Sequence, residues 1–256
     1  MVAVPSLAEI AHRGLPLGGE LVIDAHTHLG TLNQYYVPRP GAGDLVAYMD
    51  RYGIGRASTF AFAGVNSDFV YGNDLVAEAV RAYPDRFIGY VTLHVNYPEE
   101  LIGELARCER LGLRGIKLIT AYQGVSEETE RFFPVYEWAD AHGKIILSHQ
   151  WGAARFLDEI ACRYPRISFH IGHLSFDYAE VVRRRGNVYT TTTFVPWPGA
   201  IERAVQAFGV EKILFGSDFP DLDVSLNLGP LLTARISDED KRLVLGKNME
   251  RILAEH

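Results

Sequence analysis

Residues Leu21–His28 read LVIDAHTH, an apolar run of strand-forming residues that ends in two histidines separated by one threonine. Similar short apolar runs recur along the chain and alternate with amphipathic stretches of helical period. This alternation is typical of a parallel sheet built from βα units, in which each strand is followed by a helix. The number of such units then determines the fold.

Eight runs qualify as strands, and helix candidates lie between them. The predicted strands are Leu21–Ala25, Ala57–Ala61, Phe87–Leu93, Gly115–Ile119, Lys144–His149, Ile167–Ile171, Val188–Thr192 and Lys212–Gly216. The predicted helices are Gly43–Tyr52, Asn73–Tyr83, Glu99–Leu111, Thr129–His142, Ala153–Tyr164, Asp177–Arg185 and Gly199–Phe208. Eight units in about 250 residues match a closed (β/α)8 TIM barrel, whereas an open doubly wound sheet has fewer strands. We therefore predict this barrel, with its chemistry at the carboxyl ends of the strands.

The length and composition agree with one globular domain. We take all 256 residues as a single domain, with an N-terminal extension over residues 1–20 and a C-terminal helix over residues 237–256. The formal net charge of −7 argues against nucleic acid or an anionic membrane as the main partner. No apolar run approaches the roughly 18 residues of a membrane span, and no secretory signal is apparent. We expect a cytoplasmic protein that acts on a small molecule, and a homo-oligomer is compatible with the sequence.

The two histidines after the first strand are a candidate metal site. Residues i and i+2 of a strand share one face, so His26 and His28 can both point into the mouth of the barrel. Neutral imidazole is a favoured ligand of zinc and similar ions. Cys108 and Cys162 have no paired spacing, so neither a disulfide nor a thiolate zinc site is indicated. The sequence thus predicts a divalent metal bound by histidine.

Other polar residues follow strands five, six and eight. These are His149, His173 and Asp218, each placed after an apolar run and hence at the same face of the barrel. Simpler roles stay open for each: His149 and His173 could be hydrogen-bonded structural histidines, and Asp218 could cap the following turn. His170 alternates onto the opposite face of its strand, so we interpret it as structural.

Lys117, near the end of the fourth strand, is a cation that would be costly inside a barrel without a purpose. It could neutralise an anionic substrate, it could be carbamylated and bridge two metals, or its stem could pack while its amine reaches solvent. We favour the first of these roles.

Aromatic residues are frequent in the loops after the strands. Such residues could form a partly apolar substrate wall, although aromatic residues also serve as core. The candidates are Tyr35 after strand one, Tyr122 after strand four, Trp151 after strand five, and Phe194 and Trp197 after strand seven.

Together, His26-Thr27-His28, His149, His173, the GSDFP of residues 216–220 and the GKNMERIL of residues 246–253 resemble the amidohydrolase superfamily. The similarity is greatest to its amidohydrolase-related branch of TIM-barrel metal-dependent hydrolases. The resemblance implies that His26, His28, His149 and Asp218 are metal ligands and that His173 lies near the metal-bound water or the substrate oxygen. The branch contains lactonases and other hydrolases, and also decarboxylases and hydratases with the same ligands. Many superfamily members bridge two metals with a carbamylated lysine on the fourth strand, whereas this branch more often uses one ion.

The expected function is hydrolysis of an ester, lactone or amide carbonyl in a small substrate that bears a carboxylate. A divalent ion, zinc by preference and one or two in number, would bring the pKa of a bound water toward about 7. Asp218 would accept the proton of that water, His173 would polarise the carbonyl or hold the water, and Lys117 would hold the carboxylate. One alternative is a metal-dependent, non-oxidative decarboxylase (a lyase) of an aromatic or unsaturated acid. Another is an inactive barrel that serves as a binding protein.

Overall fold

The computed structural model describes residues 5–32, 36–66, 68–195 and 197–256. Within these residues, eight parallel strands pair with their neighbours in chain order. The strands are β1 (Ile23–Leu29), β2 (Arg56–Ala61), β3 (Phe87–Thr92), β4 (Gly115–Leu118), β5 (Ile145–Ser148), β6 (Ser168–Ile171), β7 (Val188–Thr191) and β8 (Ile213–Leu214). The predicted (β/α)8 barrel is therefore confirmed.

The barrel closes where the segment after β8 meets β1. The Ala25 N–H donates to the Phe215 carbonyl (2.8 Å), and the His28 N–H donates to the Phe219 carbonyl (3.0 Å). Between them, the Asp218 N–H donates to the His26 carbonyl at 2.9 Å. These backbone bonds bring together two parts of the chain that are about 190 residues apart, and both carry candidate site residues.

The first strand differs in position from its prediction. It runs over Ile23–Leu29 instead of Leu21–Ala25, so both histidines lie within the strand. Its register against β2 shifts between Asp24 and Thr27, as in a β-bulge. Bulges re-aim side chains and are frequent next to active sites.

One helix precedes β1, and the others follow the strands around the outside of the barrel. They are α1 (Leu7–His12), α2 (Ala42–Tyr52), α3 (Ala63–Asn66), α4 (Phe69–Ala82), α5 (Leu101–Arg110), α6 (Phe133–Ala141), α7 (Ala154–Arg163), α8 (Ala179–Arg184), α9 (Ala200–Phe208), α10 (Ser225–Thr233), α11 (Asp238–Arg242) and α12 (Asn248–Glu255). Short 3-10 turns cover Thr120–Gln123, Glu130–Phe132, Phe176–Tyr178 and Val210–Lys212. None of the helices in the described ranges has both the length and the apolar character that crossing a membrane requires.

The C-terminal helix is interrupted. Ser237 caps α11 by accepting the Asp240 N–H, and a π-helical turn over Leu243–Lys247 then separates α11 from α12. In that turn Gly246 lies so close to the Leu21 carbonyl that a β-carbon would come within 2.4 Å of the oxygen. Asn248 donates from its side chain to the Ile213 carbonyl at 2.9 Å, which holds the end of the chain against β8.

Alternation along the strands separates an outer core from the barrel interior. In β4, Ile116 and Leu118 pack in the large apolar cluster that includes helix residues, while Lys117 between them faces the interior. In β5, Ile145 and Leu147 belong to a second cluster with Phe60 and Tyr90. Side chains at the upper end of the interior are therefore held by packing on all sides, and they form the site described next.

Candidate metal centre and active site

A small cavity of about 60 Å³ opens at the carboxyl ends of the strands. Its polar lining comes from β1, from β4 and from the loops after β5, β6 and β8. The lining residues are His26, His28, Phe60, Phe62, Lys117, Ile119, Tyr122, His149, His173, Asp218 and Asp221. The structure thus brings together all the residues that the sequence proposed for catalysis and metal binding.

His26 is oriented by the segments that follow β6 and β7. Its Nδ1 lies 2.9 Å from the Gly172 carbonyl and 3.2 Å from the Thr193 hydroxyl. A carbonyl can only accept, so Nδ1 carries the hydrogen and the lone pair of Nε2 faces the cavity. Burial is the largest effect that lowers the pKa of His26, followed by the nearby charge of Lys117. The ring is therefore a neutral imidazole, the form that binds a metal.

Asp218 faces both histidines of β1. Its Oδ1 lies 3.4 Å from Nε2 of His26 and 3.5 Å from Nε2 of His28. Its backbone has a φ of +60°, a conformation that costs free energy in a residue other than glycine and that is enriched at functional sites. Burial acts to raise the pKa of Asp218, but the charge of His26 and the hydrogen bond and charge of His28, each present when its ring is protonated, act against burial and hold that pKa below its usual range.

Asp24 links β1 to the segment after β8. Its Oδ1 accepts the His26 N–H at 3.1 Å and the Ser217 N–H at 3.0 Å. One carboxylate thereby links the first ligand candidate on β1 to the residue before Asp218. Burial raises the pKa of Asp24 to about 7, and the two hydrogen bonds act against that rise.

The donor set fits a divalent metal. Ligand atoms bound to one ion at about 2.1 Å lie roughly 3 to 4 Å from each other, and the distances around Asp218 fall in that range. His28 is 1% exposed, yet neither of its ring nitrogens has a hydrogen-bond partner among the described residues. A buried imidazole without a partner is costly unless something else, such as a cation, satisfies it. Imidazole nitrogen and carboxylate oxygen suit zinc, manganese and iron.

His149 and His173 form a second pair. Nε2 of His173 lies 3.0 Å from Nδ1 of His149, so one of these nitrogens donates to the other. The donor atoms of His26, His173 and Asp218 all lie within 4.8 Å of one another. His173 therefore lies between His149 and His26. Burial lowers the pKa of both residues, that of His149 to about 3.

Lys117 is fully buried and faces the same centre. Its Nζ lies 3.0 Å from Nε2 of His26 and 4.9 Å above the Phe60 ring. Burial lowers the pKa of Lys117 to about 7, and Asp218 acts in the opposite direction. The notion that its amine reaches solvent is thus incompatible with the structure, because the barrel encloses the whole side chain.

The five predicted aromatic residues of the substrate wall fall in four different places. Tyr122 lines the cavity, with its ring 5.7 Å from the His149 ring. Phe194 and Trp197 are about half exposed, at 52% and 49%, and are not among the described residues that line the cavity. Tyr35 lies outside the described residues.

Trp151 belongs to the core instead of the cavity. Its indole N–H donates to the His170 carbonyl at 2.9 Å, and its ring packs 5.2 Å from Phe169. The chain turns away from the barrel axis after β5, which carries this side chain toward the layer between strand and helix. We therefore leave Trp151 out of the site.

Four lining residues were not predicted from the sequence, namely Phe60, Phe62, Ile119 and Asp221. Phe60 lies in β2 and Phe62 directly follows that strand, and their spacing of two residues could have indicated an inward-facing apolar wall. Asp221 follows Asp218 by three residues, and its Oδ2 lies 3.7 Å from Nε2 of His28. Burial raises the pKa of Asp221 to about 6. Its proximity to His28 depends on the turn after β8, which no local pattern predicts.

A larger cavity of about 610 Å³ lies at the other end of the barrel, between α7, α8 and the C-terminus. It is bordered by Arg184, Arg185 and Asn187, whose side chains already bond to neighbouring groups. None of the residues described there belongs to the histidine cluster, so size alone does not identify the site.

The barrel resembles solved decarboxylase structures. One is a manganese-bound dihydroxybenzoic acid decarboxylase from Polaromonas sp. JS666, with a TM-score of 0.75 and 18% identity over 92% of this chain and 97% of that chain. Another is a manganese-bound 5-carboxyvanillate decarboxylase from Novosphingobium aromaticivorans, with a TM-score of 0.76 and 18% identity over 92% and 96%. At such identity the likeness shows the fold.

A curated relative gives a local sequence match. It is a 2-amino-3-carboxymuconate-6-semialdehyde decarboxylase from Dictyostelium discoideum, 35% identical over 82 residues. The match covers 32% of this chain and only 23% of the relative.

The predicted hydrolysis is wrong in the light of these comparisons. All three of these relatives are decarboxylases, which fits the alternative reaction better. The physical reason is that one set of imidazole and carboxylate ligands can serve either reaction, so the ligands alone do not reveal it. Both solved structures hold manganese, which supports a divalent ion without confirming zinc.

The family itself follows from the sequence match over the barrel. The amidohydrolase family model matches residues 23–254, from the first residue of β1 into α12. This span includes every histidine and aspartate of the cavity described above. The chain therefore belongs to the amidohydrolase family.

Proposed function

We propose that this protein is a metal-dependent, non-oxidative decarboxylase of a small aromatic carboxylic acid. The observation that carries the proposal is the Asp218 carboxylate, which faces His26 and His28 in a cavity that also holds a buried lysine amine. A buried cation and two phenyl rings beside a metal site suit an aromatic anion. The decarboxylase relatives support this choice of reaction.

In this proposal His26, His28 and Asp218 hold the ion, and His173 and His149 lie next to them in the lining of the same cavity. When bound, a divalent cation there supplies positive charge that holds substrate oxygen atoms and stabilises negative charge as the reaction proceeds. We propose manganese before zinc, because carboxylate ligands suit manganese and because both solved relatives above contain it.

Lys117 and the aromatic residues bind the substrate. The Lys117 amine offsets the charge of the substrate carboxylate, which would be costly to bury without a cation. Phe60, Phe62 and Tyr122 provide apolar contact for the ring. The cavity of about 60 Å³ is well below the size of usual ligand pockets, so it accommodates the reacting end of a small molecule.

Asp218 moves the proton. As a carboxylate it accepts a proton from solvent or from a substrate hydroxyl and delivers it to the ring carbon that bears the carboxylate. The carbon–carbon bond then breaks, its electron pair returns to the ring, and CO2 leaves. Each turnover consumes one proton and one substrate carboxylate and yields CO2 and the neutral arene, in which hydrogen has replaced the carboxylate. The position of His173 lets it orient Asp218 and the substrate oxygens.

The test is release of CO2 from a panel of hydroxybenzoates by protein reconstituted with Mn²⁺ or Zn²⁺, beside turnover of sugar lactones. We expect CO2 from at least one aromatic acid, loss of that activity with a chelator, and no activity in Asp218→Asn. Lactone turnover without CO2 release would contradict the proposal. So would tight metal binding without turnover of any acid in a broad panel, which is the behaviour of a binding protein.

A further inference from the structure

A second carboxylate lies beside the proposed metal site. The side chain of Asp221 is 8% exposed and lines the same cavity as Asp218. Its Oδ1 is buried and has no hydrogen-bond partner among the described residues. Its Oδ2 lies 3.7 Å from Nε2 of His28, a nitrogen that is also without a hydrogen bond in the described part of the chain. Two buried groups that can each bind a cation, both without a hydrogen bond in the described part of the chain, thus face each other.

The turn after β8 brings this carboxylate into place. The Asp221 N–H donates to the Asp218 carbonyl at 3.1 Å, and the Leu222 N–H donates to the same oxygen at 3.2 Å. The turn places both carboxylates on one side of His28, at 3.5 Å for Asp218 and 3.7 Å for Asp221.

The nitrogen of His28 that Asp221 contacts distinguishes a metal ligand from a residue that only orients the histidine. A carboxylate that only orients a ligand histidine contacts the ring nitrogen that points away from the metal. Asp221 instead approaches Nε2, the nitrogen that also faces Asp218. Asp221 is therefore on the metal side of His28. Its distance of 3.7 Å lies within the roughly 3 to 4 Å that separates two ligand atoms of one ion.

We infer that Asp221 is a further ligand of the ion held by His26, His28 and Asp218, and that it shifts the preference of the site toward manganese relative to zinc. This inference rests on the proposed metal site. A second carboxylate neutralises the remaining charge of a divalent ion that is already bound by Asp218. It also adds an oxygen donor, which manganese favours, to imidazole donors, which zinc favours.

Asp223 is a matched control on the same loop. Its Oδ1 accepts the Tyr52 hydroxyl at 3.0 Å and the Ser225 N–H at 2.8 Å, and it is not among the described residues that line the cavity. Asp223→Asn therefore removes one negative charge from the loop without removing a candidate ligand.

The experiment is titration of metal-free protein with Mn²⁺, in which electron paramagnetic resonance measures the concentration of free Mn²⁺. Competition with Zn²⁺ then gives the affinity for zinc. Even partners of metal ligands contribute about 10–100-fold to affinity, so Asp221→Asn is expected to weaken Mn²⁺ binding at least about tenfold. Zn²⁺ affinity should fall by a smaller factor. Asp223→Asn should bind both metals as the unchanged protein does. Thermal unfolding of the metal-free variants, with Asp221→Ser as a second substitution, checks that each is folded.

Unchanged Mn²⁺ affinity in a folded Asp221 variant would overturn the inference and leave the proposed function intact. An equal loss in the Asp221 and Asp223 variants would also overturn it, because the effect would then be one of net charge. Failure of the unchanged protein to bind either metal would instead overturn the proposed site, and the inference with it.

Discussion

The Nζ of Lys117 lies 3.0 Å from Nε2 of His26, and both side chains are buried at the centre of the barrel mouth. A cation is therefore held directly beside the first candidate ligand, where an anionic substrate can reach both. This arrangement explains why the interior contains a lysine at a position where alternation would otherwise place an apolar side chain.

Substitution Lys117→Met is expected to raise the KM for an aromatic carboxylate at least about tenfold, since a buried charge loses its partner. The free energy of unfolding of the metal-free protein should stay equal or rise, because a buried charge is removed. Steady-state kinetics and urea unfolding measure the two effects. Lys144→Met is the control: Lys144 pairs with Glu109 at the far end of β5, so its loss should leave KM unchanged. An unaltered KM in Lys117→Met would exclude the substrate-binding role.

Asn227 on α10 joins two loops of the site. Its Oδ1 accepts the Phe194 N–H and its Nδ2 donates to the Ser217 carbonyl, both at 2.7 Å, and it is 1% exposed. Phe194 has a φ of +59° and Ser217 precedes Asp218, whose φ is +60°. Asn227→Ala should lower stability by about 1–3 kcal/mol by leaving buried backbone groups unsatisfied, and should also reduce kcat.

Asn187 provides the comparison for that variant. It donates to backbone carbonyls at the opposite end of the barrel, including that of Ile167 at 3.0 Å. Asn187→Ala should lower the melting temperature without changing kcat of the remaining folded protein. Similar kcat losses in both variants would mean that Asn227 acts through stability alone.

Substitutions of Tyr122 and of Trp151 should differ in their effects on KM. Tyr122→Ala removes a ring that lines the cavity and is expected to raise KM by roughly three- to tenfold. Trp151→Phe removes the hydrogen bond to the His170 carbonyl, so it should cost about 1–2 kcal/mol of stability at unchanged KM. A raised KM in Trp151→Phe would indicate that Trp151 contacts the substrate after all.

Metal content should distinguish the histidines. His28→Ala removes a buried imidazole that faces Asp218, so the purified variant should retain little of the ion when measured by mass spectrometry. His170→Phe is the control, because His170 is buried below the site and its Nε2 lies 3.0 Å from the Ser168 hydroxyl. We expect full metal content in His170→Phe even where its melting temperature falls.

Glu104 should make stability depend on acid pH. It receives hydrogen bonds from Arg107 at 2.7 Å and from Asn73 at 2.8 Å. Burial acts to raise the pKa of Glu104, but these bonds outweigh it and hold that pKa below its ordinary value. A lowered acid pKa contributes stability that is present above the unfolded value, about 4.3, and is lost as pH falls through the folded value.

Glu104→Gln should therefore be less stable than the unchanged protein by about 1–3 kcal/mol at pH 7, and the difference should shrink below about pH 4. Urea unfolding across this range measures it, with Glu78→Gln on an exposed face of α4 as the control. A difference that stays constant down to acid pH would contradict the assigned ionisation.

The parts of this molecule that the sequence predicts are those that local periodicity determines. Short apolar runs that alternate with amphipathic stretches mark the eight strands, and a polar residue after each of β5, β6 and β8 marks the mouth of the barrel. Because strand direction in a closed parallel barrel is uniform, His149, His173 and Asp218 had to reach the same face as His26 and His28.

Only the tertiary structure decides how these groups meet. The register shift in β1 and the closure of β1 on the segment after β8 bring His26 to Asp218. The turn after β8 places Asp221 in the cavity, whereas the bend after β5 places Trp151 in the core. Contacts between residues nearly 200 positions apart depend on side-chain packing and loop geometry, which have no local periodicity. The sequence alone therefore determined the barrel and its polar face, and the three-dimensional packing decided the composition of the site.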